Sequence, residues 1–110
     1  MFFAEYLQLI REYQEYLRSL GFEALTDKAP ELNALLNSPT SLITHREFIE
    51  PYILYMLAQM EEWASKWQER DRLSRHLGFI QGLLWASAHF SIDDMKKHTM
   101  NHSLVEACPC

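Results

Sequence analysis

A chain of 110 residues that is 48% hydrophobic and 13% aromatic can bury the core of one globular domain and is too apolar for a disordered one. Its formal net charge of −5 works against non-specific binding to a phosphate backbone. With only three glycines and four prolines, the chain has long turnless segments, which exclude a strand-and-turn sandwich and favour helices.

The first predicted element is an amphipathic helix over 2–20. Phe3, Tyr6, Leu7, Ile10, Tyr13, Leu17 and Leu20 recur at steps of three and four. Glu5, Glu12, Glu15 and Arg18 fall mostly on the opposite side. Gly21 is placed to stop the helix in a left-handed turn, and Phe22 and Leu25 should fold back on that end. The start, MFFAEYLQLI, has no basic stretch and contains Glu5, so it does not read as a signal peptide.

A short second helix is predicted over 28–37, with Pro30 in its first turn and Leu32, Leu35 and Leu36 as its apolar edge. Residues 37–44, NSPTSLIT, read as a loop, with Pro39 ending the helix. Thr44 and Glu47 have capping-box spacing, so a helix should start near His45. Pro51 then removes a backbone donor about two turns in. Either the helix kinks there, or a short turn ends at Glu50 and the main helix begins at Pro51.

From Tyr52 to about Glu69 the pattern is strongly helical. Ile53, Met56, Leu57, Met60, Ala64 and Trp67 share one face, widened by Tyr52, Tyr55 and Trp63. Residues 66–76, KWQERDRLSRH, are polar but hold no proline or glycine. The sequence therefore predicts one long central helix from about 52 to 90, with a bend allowed, packed against helix 1.

The most apolar stretch, RHLGFIQGLLWASAHFSIDDM, falls short of the roughly 20 apolar residues of a bilayer span. On a helix, Leu73, Leu77, Ile80, Leu84 and Trp85 take one side, and Phe79, Leu83, Ala86 and Phe90 the adjoining side. Such girth predicts burial on more than one side, with Trp67 and Trp85 both in the core. Ser74, Gly78, Gly82 and Ala86 form a stripe of small residues at steps of four, which lets another helix come close. That helix is either helix 1 of the same chain or the seam of a dimer or partner. A last helix begins after Ser91, with Asp94 as its box partner, and runs to about His102.

RHLGFIQGLLW followed by SIDDMKKH resembles the C-terminal part of small accessory proteins of tailed bacteriophages and prophages. The resemblance covers about the last third of the chain and carries no active site. It implies an accessory gene product that binds host or defence proteins.

Candidate chemistry is sparse. His98 and His102 are one turn apart, and Cys108 and Cys110 follow, so the four could supply a tetrahedral zinc site. Cys-x-Cys is an uncommon zinc spacing, and a loose tail over 105–110 with reduced, cytosolic thiols is the plainer reading. No nucleophile elbow or phosphate-cradling loop occurs, and His76 and His89 read as hydrogen-bonded structural residues. Lys66, Arg70, Arg72 and Arg75, beside Trp63 and Trp67, form a basic patch that could grip single-stranded nucleic acid, although Glu62, Glu69 and Asp71 interrupt it. Residues 1–50 carry eight acids against four bases, an imbalance that suits either solubility or a basic partner met by Glu5, Glu12 and Glu15.

The sequence thus predicts an all-α bundle of four or five helices over 1–104, with no enzyme activity, cofactor or membrane span. It would be a protein-binding module in the bacterial host cytoplasm that inhibits or modulates a host or defence complex by occlusion. Partner contacts would fall on Glu5, Glu12, Glu15, Ser74, Gly78, Gly82 and Ala86. A homodimer, a small nucleic-acid-associated regulator and a virion assembly component are the alternatives.

Overall fold

The structure is a computed structural model that describes residues 2–28, 30, 37 and 46–104. Most of the predicted helix over 28–37, with its Leu32, Leu35 and Leu36 edge, residues 38–44 of the predicted loop, the Thr44 cap, Cys108, Cys110 and the 105–110 tail lie outside the described residues, as does the Trp67 side chain. Among the described residues there are four α-helices and no strand: α1 Phe3–Ser19, α2 Ile49–Trp63, α3 Arg70–Ala86 and α4 Ile92–Asn101. The all-α expectation holds.

Local signals set most of the helix ends. The Phe2 N–H donates to Glu5 Oε1 at 2.7 Å, which starts α1. α1 ends where Gly21 takes φ +96°, a left-handed conformation open to glycine without steric cost. Phe22 N–H then reaches Leu17 O at 3.3 Å and Gly21 N–H reaches Arg18 O at 3.0 Å, a Schellman closure. Leu25 N–H continues the fold-back with a 3.1 Å bond to Pro51 O. A 3-10 turn, Arg46–Phe48, precedes α2, so Pro51 sits in the first turn of α2, where its missing N–H breaks no helical bond. Ser91 caps α4 reciprocally: its Oγ accepts from Asp94 N–H and Asp94 Oδ2 accepts from Ser91 N–H, both at 3.1 Å.

The core is one cluster. Tyr6, Leu9, Ile10, Tyr13 and Leu17 of α1 meet Ile53, Leu54, Leu57 and Met60 of α2 and Leu73, Leu77, Ile80 and Leu84 of α3. Burying each aliphatic side chain contributes roughly 1.5–3 kcal/mol against the conformational entropy lost on folding. α2 is the central layer, with α1 and α3 packed against it. α4 crosses back over the assembly and inserts Met95 and His98. None of the helices in the described residues is long and apolar enough to cross a membrane.

The structure revises three expectations. The 52–90 stretch is two helices, divided by a turn at Ala64–Lys66 and a 3-10 turn at Trp67–Glu69. Ser65 Oγ closes the first turn on Glu62 O at 2.9 Å, a job a polar residue does without glycine or proline. α3 is buried along one stripe only, and Trp85 is 54% exposed rather than in the core. The Gly78–Gly82 stripe is not filled by helix 1: a Cβ added at either glycine would meet nothing within 4 Å.

Candidate protein-binding groove

The exposed side of α3 and the exposed side of α4 enclose an apolar groove of about 530 Å³. α3 contributes Gly82 and Trp85. α4 contributes Ile92, Met95 and Met100. The same periodicity that buries Leu77, Ile80 and Leu84 turns Gly82 and Trp85 outward on α3, and the box at Ser91 sets α4 beside them. Ile92 is 56% and Met100 78% exposed, so three large apolar side chains surround a bare backbone at Gly82. Single exposed hydrophobics are ordinary, but a contiguous set lining a concavity marks a binding surface.

Its polar rim is small. Gln81 Nε2 donates to Tyr13 Oη and to Thr99 Oγ1, each at 3.2 Å. Among the described residues, Lys96 is the one charged residue lining the groove, and no carboxylate, imidazole or thiol lines it.

Two polar chains, one buried and one half-buried, hold the walls. Behind the groove, Tyr13 Oη lies 2.9 Å from His98 Nδ1. Since Gln81 already donates to that hydroxyl, the phenol proton points to the imidazole. Burial pushes the Tyr13 phenol up to about 12 and pushes His98 below its ordinary value, against the opposing pull of Asp94 and Glu12. Both groups are therefore neutral at pH 7.

At the α3–α4 turn, His89 Nε2 donates to Glu50 Oε2 at 2.8 Å and His89 Nδ1 lies 3.0 Å from Tyr16 Oη. Arg46 Nη1 bridges both Glu50 oxygens at 2.8 and 3.0 Å, while its Nη2 donates to Ser87 O at 3.2 Å. Burial raises the Glu50 pKa, but the bonds from Arg46 and His89 outweigh it and hold the carboxyl below 4.5. This network fastens the turn that orients α4 to α1 and α2. Sequence reasoning took His89 as structural and did not single out Glu50. The i,i+4 spacing of Arg46 and Glu50 was the available signal.

The sequence-derived site residues divide. Ser74, Gly78, Gly82 and Ala86 are all exposed on α3, and of these only Gly82 enters the groove. Glu15 is exposed, but Glu5 and Glu12 are half-buried and face the end of α4: Glu5 pairs with His102 Nε2, and Glu12 Oε1 accepts from Ser103 Oγ at 2.9 Å. These acids tie α4 to α1 within the chain. The basic residues do not form one strip. Arg72 lies 3.8 Å over the Trp63 ring and 3.5 Å from Glu69, Arg75 borders Phe79 and Tyr52, and Arg70 and Lys66 sit at or before the start of α3. His98 faces Tyr13 and His102 faces Glu5, so the two imidazoles take separate partners. Among the described residues no group of three or more histidine, cysteine or acidic side chains could hold a metal ion.

Compared with protein-family models, curated proteins and solved structures, the chain matches none.

Proposed function

We propose that this chain is a non-enzymatic protein-binding module and that the α3–α4 groove is its binding surface. The observation that carries this reading is the outward set of Trp85, Ile92 and Met100 around the open backbone of Gly82. A surface of that kind gains free energy when another apolar face removes it from water. Among the described residues, the groove lining holds no paired acid, base or nucleophile of the kind a reaction needs. The resemblance of residues 75–98 to accessory proteins of tailed phages supports a setting in the bacterial host. The module would there occlude a surface of a host or defence complex.

The test is site-specific photo-crosslinking in a bacterial cell. p-Benzoylphenylalanine replaces Met100 in the groove or, as a control, Ala58 on the outer face of α2, which borders Tyr55 and Asp27. Irradiation should give a discrete protein adduct from Met100 and not from Ala58. Equal adducts from both positions, or none from Met100, would refute the groove as a binding surface.

A further inference from the structure

We infer that the groove receives an amphipathic helix of a partner protein that carries an acidic side chain opposite Lys96. This rests on the reading that the groove binds protein and names the chemistry of the occupant.

Shape is the first argument. The α4 wall runs from Ile92 to Met100, a rise of about 12 Å or roughly two helical turns. It lies beside the Gln81–Trp85 turn of α3, and a trough between two helices is the seat a third helix fills. An incoming helix would present apolar residues at i, i+3 or i+4, and i+7. At Gly82 nothing lies within 4 Å of where a Cβ would stand, so the incoming side chains can reach the α3 backbone.

Charge is the second argument. The Gln81 amide is already bonded to Tyr13 and Thr99, so the lining's uncommitted charge is the Lys96 ammonium. Among the described residues no carboxylate forms an ion pair with Lys96. In a chain of net charge −5, the apolar groove therefore presents a lone cation. A carboxylate flanking the partner's apolar stripe meets it favourably. A basic partner helix would be repelled at close range.

The same charge argues against a second copy of this chain. A two-fold axis through the groove brings Lys96 toward its own symmetry mate, with no lining carboxylate among the described residues between them. A membrane surface is also a poor fit, since stable electrostatic attachment needs a cluster of cations and the groove has one.

Two stapled helical peptides of about 14 residues serve as probes, the staple offsetting the weak helicity of so short a segment. Both carry leucine at i, i+3 and i+7. One places glutamate, the other lysine, at the position facing Lys96. Each is titrated into the full chain, read by calorimetry and by the emission difference between parent and Trp85→Phe. The glutamate peptide should bind about fivefold tighter or more, the upper range for an exposed ion pair. Lys96→Glu should reverse that order with an unchanged melting temperature, because Lys96 is exposed. Equal affinities, an order that survives Lys96→Glu, or no saturable binding overturns the inference. So does sedimentation of the free chain as a dimer that Gly82→Leu dissociates. If the Met100 adduct forms but neither peptide binds, the groove still binds protein and only the acidic-helix assignment fails.

Discussion

The carboxylate of Glu50 and the imidazole of His89 are 39 residues apart in sequence and 2.8 Å apart in the structure. With Arg46 on its other side, Glu50 is only 2% exposed, a buried charge held by two donors. Replacing it by glutamine leaves both donors with a weaker acceptor. Glu50→Gln should cost about 1.5–3 kcal/mol in urea unfolding, the usual worth of hydrogen bonds to a charged group. The pH dependence has a definite sign. The folded-state pKa of Glu50 is lowered, so its contribution is present above pH 4.5 and is lost as pH falls through the lower folded value. The parent should lose stability below pH 4.5 more steeply than Glu50→Gln.

His98 acts in a different window. Its folded pKa lies below 6.5 because it is buried beside Tyr13 and Phe90. The unfolded chain then binds a proton more readily than the folded one. Stability should be full above pH 6.5 and decline as pH drops from there toward the folded value. Denaturant melts of the parent and of His98→Gln across pH 5.5–7.5 check this. The histidine-dependent slope should be absent in the variant.

Ala88 adopts φ 66° at the end of α3, where His89 N–H closes on Leu84 O at 2.9 Å and Ala88 N–H on Trp85 O at 3.0 Å. This is the Schellman closure seen at Gly21, but with a side chain in the left-handed position. Ala88→Gly should therefore stabilise by about 1 kcal/mol and raise Tm by about 4 °C. Gly21→Ala should do the reverse. Calorimetric melting of both variants distinguishes this from the general rule that glycine destabilises.

Much of the fold was legible because its signals are local. Gly21, the Ser91–Asp94 box and the 3.6-residue rhythm of α1 and α2 each act within about four residues. The division of the 52–90 stretch was not, because no glycine or proline marks it. Length was the overlooked signal: 39 continuous helical residues would run about 58 Å, beyond the molecule's longest extent of 46 Å. Such a helix would project past the 17 residues of α1 with nothing to bury its apolar face. Trp85 was misplaced for another reason. Apolar character predicts burial only in one direction, and a helix with more apolar residues than its core side can use turns the remainder outward. Of the two readings of the Gly78–Gly82 stripe, the one that packs helix 1 into it fails, because α1 packs on α2 and leaves the stripe open. Contacts as distant in sequence as Glu50–His89 and Tyr13–His98 depend on how the helices cross, which periodicity does not encode.

The most direct measurement is the melting temperature of Gly82→Leu, taken together with its photo-adduct from Met100. Leucine at this exposed helical site removes the glycine helix penalty of about 1 kcal/mol and places its side chain in the groove. The account predicts a melting temperature no lower than the parent's and loss of the Met100 adduct, which separates folding from binding at one residue. A melting temperature several degrees lower would show the face already packed within the folded chain, and a persistent adduct would show that the partner passes Met100 without entering the groove at Gly82; either result contradicts the groove around Gly82 as the binding surface.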